Sequence, residues 1–207
     1  MTDRAPWVAM VIVLALMLAP AGSARGQNVP VGAAVNAIGT LIVVRADGIE
    51  DRLQGKGQLR LFDHDLVRAE AGVLAMIELT EGIQVGMNEN TSFTVLSRWE
   101  KRKGTTRILR LKGGEIWVKT TTGPKLFEVE TPVATAAIRE TEFNLKVDPD
   151  GQSTLTVIEG VVEFGTPFGT CPIPTKTVSY GARGKRCTRP VATDVGTALG
   201  WSRALLP

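Results

Sequence analysis

Phe143-Asn144-Leu145-Lys146-Val147-Asp148 is apolar at each odd position and polar at each even one. Side chains alternate between faces along a strand, so this period of two places Phe143, Leu145 and Val147 on one buried face. Asp150-Gly151 follows as a turn, then Ser153–Ile158, then Glu159-Gly160 as a second corner and Val161–Phe164 as another strand. The same grammar runs upstream, with Thr40–Val44, Leu66–Arg68, Val73–Leu79, Ile83–Met87, Ser92–Leu96, Arg107–Leu111, Glu115–Thr120 and Lys125–Glu130 as candidate strands. Between them Asp47-Gly48, Glu81-Gly82 and Gly113-Gly114 supply residues that tolerate positive φ, each suited to a hairpin turn or a strand corner. The spacing predicts an all-β chain of about ten short strands. Val133–Glu140 reads as extended or irregular. The tail from Val191 to Pro207 reads as a short helix docked on the sheet or as a frayed end.

The 207 residues include 22 Gly and 11 Pro, which disfavours long helices, and 43% are hydrophobic with 22% charged, which suits a folded globular chain. One histidine and two cysteines are a poor supply for a zinc site of about four ligands, and no serine lies in a G-x-S-x-G elbow, so neither a metal cofactor nor an enzyme is expected. A net charge of +3, evenly interspersed, does not look like a nucleic-acid binder. Residues 8 to 19 form an unbroken apolar run, shorter than the roughly 20 residues that cross a bilayer, followed by Pro20 and small residues. Residues 1–26 are therefore expected to be a secretory signal peptide, which would be the chain's only membrane contact, before cleavage. Residues 27–190 are then expected to be one β domain and 191–207 a C-terminal tail. In an oxidising compartment Cys171 and Cys187, 16 positions apart and without C-x-x-C spacing, are expected to form a disulfide that pins a surface loop.

The order of motifs is similar to that of the FecR domain, an all-β module of Gram-negative envelopes. The resemblance runs from about Gly39 to about Thr188. It rests on Gly39-Thr40-Leu41-Ile42-Val43-Val44-Arg45, Asp65-Leu66-Val67-Arg68, Ala75–Gly82, Asn90-Thr91 and Leu111–Val118. It continues through Phe127–Phe143, with Thr131, Pro132, Arg139, Thr141, Glu142 and Phe143 as the family motif, and closes on Asp150-Gly151 and Val157–Val162. His64 and Glu140 stand where that family usually has glycine; if both positions need positive φ, each non-glycine residue costs about 1 kcal/mol or more. The resemblance implies an all-β fold, solenoid-like or sandwich-like, in an exported module that binds another envelope protein in the periplasm of a Gram-negative bacterium and does not catalyse a reaction. With only a short head before the apolar run and little sequence after Thr188, the chain is expected to be a free-standing member without an anti-sigma domain.

Several clusters have a plainer reading beside the functional one. Asp63-His64-Asp65 is read as an exposed turn, because adjacent strand residues face opposite ways. Asp148-Pro149-Asp150-Gly151 is read as a β-turn, lacking the spaced oxygen ligands of a calcium loop. Trp117 reads as a core or half-buried anchor, and Arg139 as a strand tie to Glu140 or Glu142. Arg98, Trp99, Lys101, Arg102, Lys103 and Arg107 form the densest basic stretch. They are the candidate partner surface, for an acidic protein face or for another polyanion or glycan, against the alternative of a solvated hairpin. Arg183, Lys185, Arg186 and Arg189 around Cys187 would extend that surface if the two clusters shared a face. The second functional expectation is a carbohydrate- or peptidoglycan-associated binding or structural protein.

Overall fold

The computed structural model describes residues 29–102, 104–120, 127–138 and 140–205. The expected signal peptide, residues 1–26, lies outside the described residues. In chain order the strands are β1 (Gly32–Val44), β2 (Glu50–Leu61), β3 (Leu66–Ala69), β4 (Leu74–Leu79), β5 (Ile83–Met87), β6 (Thr91–Glu100), β7 (Gly104–Thr120) and β8 (Phe127–Glu130). They continue with β9 (Thr135–Ile138), β10 (Glu142–Val147), β11 (Ser153–Glu159), β12 (Val161–Thr166), β13 (Gly169–Pro174), β14 (Thr177–Gly181) and β15 (Val191–Ala192). One short helix, α1 (Val195–Leu199), follows, with 3-10 turns at Thr80–Gly82 and Ser202–Ala204. Among the described residues no helix is long and apolar enough to cross a membrane.

Two strands decide the architecture because each changes partners along its length. Up to Gly113, β7 pairs with β6 and, over Arg107–Arg110, in parallel with β8; from Gly114 it pairs with β10 and from Ile116 with β5. The change falls at Gly113-Gly114, where Gly114 has φ 92°. Likewise β1 pairs with β4 as far as Ile38 and with β3 from Ile42, and Gly39 at φ 82° lies in the bulge between. The ladders are therefore continuous but folded into two layers. One runs β15-β14-β11-β10-β7-β5-β4-β1 and the other β13-β12-β9-β8-β7-β6-β3-β1, while β2 follows β1 across both. Of the two architectures expected, this is the sandwich-like one, closed on one side by strands that cross between layers.

The inward faces supply one continuous core. Phe93, Leu109, Phe127 and Phe164 come from one layer and Ile77, Ile116, Phe143 and Leu145 from the other, all within a single cluster. Each such side chain contributes roughly 1.5–3 kcal/mol by leaving water. The period-two reading of Phe143–Val147 holds, since all three apolar side chains are buried.

The structure departs from the expected strand list in four places. β1 begins at Gly32, earlier than Thr40. β7 is one bent strand, so Gly113-Gly114 is a corner and not a hairpin. β2 and the β13–β15 group were not foreseen. Glu50–Leu61 is largely exposed and carries five charges and two glycines, because an edge strand needs little buried face. β13 carries Pro172 and Pro174, which a central strand would not accept.

His64 and Glu140 adopt φ 70° and 45°, so both positions do require the conformation glycine favours. The C-terminal tail docks. Asp194 caps α1 by accepting from the Gly196 N–H at 2.9 Å, and Asn144 Nδ2 donates to Ala198 O at 3.2 Å. Leu199, Trp201 and Leu205 then cover Met76 and Trp117 on the outer face of the β10–β7–β5–β4 layer.

Candidate recognition surface

β6 and β7 pair out to Glu100↔Gly104, so this hairpin extends beyond the core, whose last inward pair on these strands is Val95↔Leu109. Trp99, Lys101 and Arg102 are exposed there, Trp99 to 70%. Lys103 lies outside the described residues.

The other two residues of the basic stretch are engaged within the fold. Arg98 reaches Glu128 at 2.7 Å, Glu100 at 3.2 Å and Glu130 at 3.9 Å, while Arg110 reaches Glu130 at 2.9 Å. These pairs form an ion ladder across β6, β7 and β8. The hydrogen bond to Glu128, more than its neighbours' charge, holds the Arg98 guanidinium ionised beyond the usual arginine range. Arg107 is buried, at 7% exposure, where it donates to Ser97 Oγ and, at 3.5 Å, to Thr80 Oγ1. Its burial was legible from parity, because Arg107 is an odd position with the inward-facing Leu109 and Leu111. The acidic partners Glu128 and Glu130 come from a remote strand and were not.

The motif around Thr131 works inside the fold. Thr131 Oγ1 accepts from Ala134 N at 3.0 Å and from Ser153 Oγ at 2.8 Å, fixing the β8–β9 turn in which Pro132 is exposed. The Thr141 N–H donates to Thr120 Oγ1 at 2.8 Å and its carbonyl accepts from Thr120 N at 3.1 Å, tying β10 to the end of β7. Glu142 accepts from Trp117 Nε1 at 2.9 Å and pairs with Lys119 at 3.0 Å. Phe143 is fully buried. Arg139, read as a strand tie, lies outside the described residues. Trp117 is 2% exposed, so its surface is not offered to a ligand.

Cys171 in β13 is bonded to Cys187, with Cα atoms 6.2 Å apart. The bond holds the loop between β14 and β15 against the β13 edge, where Arg186 Nη2 also donates to Thr170 O at 3.2 Å. Arg183, Lys185, Arg186 and Arg189 are exposed on this loop. They do not share a face with the hairpin tip. Gly165 pairs with Thr135, which is level with Glu130 and Arg110, so the Thr166–Gly169 turn beside Arg186 lies at the far end of the layer from Trp99.

At that far end the strand-connecting loops enclose an open cleft of about 670 Å³, lined by Glu89, Lys112, Glu115, Asp148, Asp150 and Arg183 among others. Its charges are mixed. Asp148 pairs with Lys146 at 2.9 Å, a hydrogen bond that keeps the ammonium charged above its ordinary range. The Gly151 N–H donates to Asp148 O at 2.8 Å, so the Asp148–Gly151 segment is the β-turn its sequence suggests. The Asp63-His64-Asp65 side chains do not converge. His64 is two-thirds exposed, whereas Asp65 is buried and accepts from Arg45 and from the Phe62 N–H at 2.8 Å. Burial disfavours the Arg45 charge, but hydrogen bonds to Asp51 and Asp65 outweigh it and leave the guanidinium more firmly protonated than usual.

No curated protein matches the chain. Two solved structures of a proposed anti-sigma factor from Parabacteroides distasonis have a similar fold, with TM-scores of 0.57 and 0.56 and 18% sequence identity. Each match covers 66% of this chain, and 63% or 64% of the other, so this chain spans less than two thirds of that protein's length. At such identity the likeness concerns the fold. The family model described as FecR protein matches residues 65–163, a span that contains the β7 crossing, the hairpin tip and the Thr131–Phe143 motif. That match, added to the motif order and the two-layer fold, makes residues 65–163 a FecR region.

Proposed function

We propose that this chain is a non-catalytic signalling module of the cell envelope, working in the periplasm of a Gram-negative bacterium and docking a protein partner through the tip of the β6–β7 hairpin. The observation that carries the reading is Trp99. A tryptophan exposed to 70% between the ion-paired Arg98 and the exposed Lys101 and Arg102 combines the apolar area and the charge of an interface anchor. The FecR match over residues 65–163 and the fold of the anti-sigma-factor neighbours support a regulatory role, and the Cys171–Cys187 bond suits an oxidising compartment. The partner surface is expected to be acidic, with attraction that weakens as salt rises.

The test is affinity capture from periplasmic extract with the wild-type protein and with Trp99→Ala and Lys101→Glu/Arg102→Glu variants. The reading predicts a protein retained by the wild type and lost from both variants. Retention of glycan alone, or of the same proteins by all three forms, overturns it.

A further inference from the structure

We propose that the open edge of β2 is a second docking surface, which takes an extended acidic peptide as an added strand. The inference shares with the proposed function the reading of the chain as a protein-binding module, but it uses a different surface at the crossing side of the sandwich.

The sheet ends are treated unequally. At β13 the open edge carries Pro172 and Pro174, which have no N–H to offer, and the disulfide-held loop covers it through Arg186. At β15 the edge is two residues long. β2 is twelve residues long and, among the described residues, pairs with no strand but β1, so its other edge is left without a partner strand; at its end the Arg60 carbonyl accepts from Arg45 Nη1 at 2.8 Å. Such an edge is a template for a further strand.

The side chains of β2 specify the charge of what can add there. Arg52-Leu53-Gln54-Gly55-Lys56-Gly57-Gln58-Leu59-Arg60 reads the same in both directions. Leu53 and Leu59 turn toward the core, while Arg52, Gln54, Lys56, Gln58 and Arg60 are all exposed. Cations therefore recur at every fourth position, with amides between them and no carboxylate from Arg52 to Arg60. Arg52 has Glu50 at 3.3 Å, and among the described residues no carboxylate pairs with Lys56 or Arg60. A partner strand with acidic residues on its outer face would set carboxylates opposite these cations.

A second copy of the chain is the natural competitor for an open edge, and the palindrome argues against it. Antiparallel self-pairing centred on Lys56 would place Lys56 against Lys56 and Arg52 against Arg60, and like charges directly opposite destabilise a ladder. The edge thus disfavours its own copy and favours an acidic strand.

The probe is a short fluorescein-labelled peptide of alternating glutamate and valine, followed by fluorescence anisotropy with the purified protein at low salt. The wild type should bind it, and the Lys56→Glu/Arg60→Glu double variant should bind about tenfold or more weakly. Methylating alternate backbone nitrogens of the peptide, which keeps its charge and removes its strand donors, should weaken binding by a similar factor. Trp99→Ala should leave peptide binding unchanged. Unfolding curves of the double variant, matched to wild type, show that it is folded. The proposal is overturned by equal binding of the methylated peptide, by equal binding of a basic peptide with lysine in place of each glutamate, or by self-association of the wild type that Lys56→Glu abolishes. Failure here with Trp99-dependent capture intact removes the β2 site and leaves the hairpin reading standing; loss of that capture with peptide binding intact does the reverse.

Discussion

Replacing Gly114 by alanine should damage the fold out of proportion to one methyl group, because that residue carries β7 from one layer to the other. Its φ of 92° is one that a side chain rarely adopts, and forcing alanine there costs about 1–2 kcal/mol. The added Cβ would lie 2.3 Å from Thr91 Oγ1, 2.4 Å from Thr91 Cα and 2.7 Å from Asn90 O. Two of those three atoms are backbone, so no rotamer change relieves the overlap. Thr91 is held in turn, its Oγ1 accepting from the Glu115 N–H at 2.9 Å, so retreat would break the bond next to the crossing. Overpacking of this kind adds about 1–3 kcal/mol. The total, about 2–5 kcal/mol, corresponds to a fall in Tm of about 10 °C for a chain of this size. Gly113→Ala is the control, since a Cβ there meets nothing within 4 Å and its φ is not positive. Urea titration followed by tryptophan fluorescence measures both variants. If Gly114→Ala lies within about 1 kcal/mol of Gly113→Ala, the crossing is not where the layers are joined and the argument fails.

Reducing the Cys171–Cys187 bond, or replacing both cysteines by alanine, removes a cross-link between residues 16 apart and should lower stability by about 3 kcal/mol in the chain-entropy model. Unfolding with and without reductant measures it, and a difference below about 1 kcal/mol would mean that the loop is held by its hydrogen bonds instead. Glu142→Ala leaves the buried Trp117 indole N–H without its acceptor and should cost about 1–3 kcal/mol, whereas Glu142→Gln keeps an acceptor and should cost less. Equal losses from the two would show that the Lys119 pair is what matters. His64→Gly and Glu140→Gly relieve left-handed backbone worth about 1–2 kcal/mol each, against about 0.4–1 kcal/mol of added unfolded-state entropy. Each variant should therefore be at least as stable as wild type in calorimetry, and a clear loss of Tm in either would show that its side chain compensates for the strain.

Much of this fold is legible because inward faces obey a period of two. Phe143, Leu145 and Val147 alternate with polar residues, and so do Phe127 and Val129 in β8, so class and strand positions follow directly. β2 escapes the same reading because an edge strand pairs on one side only. Leu53, Leu59 and Leu61 turn toward the core, but Gly55, Gly57 and the bulge between Leu59 and Lys56 break the alternation between them. Gly113-Gly114 is ambiguous for a different reason. A positive φ serves a hairpin and a layer crossing equally well, and only the partners on either side, β6 and β8 before it and β10 and β5 after it, tell the two apart.

The fate of the basic stretch shows why a surface is harder to read than a core. Parity alone takes Arg107 out of it, because that residue follows Leu109 and Leu111 inward. Glu100, two residues on, meets part of the Arg98 charge locally, but Glu128 and Glu130 meet the rest only because a parallel ladder sets β8 beside β7, with Arg107 opposite Phe127 and Arg110 opposite Glu130. Among the described residues no acid pairs with Lys56 or Arg60 on β2, or with Arg102 at the hairpin tip. A run of cations thus divides into those a remote strand neutralises and those left to face solvent. The division follows strand order more than residue type, and the second group is where an acidic partner finds charge not already matched within the chain.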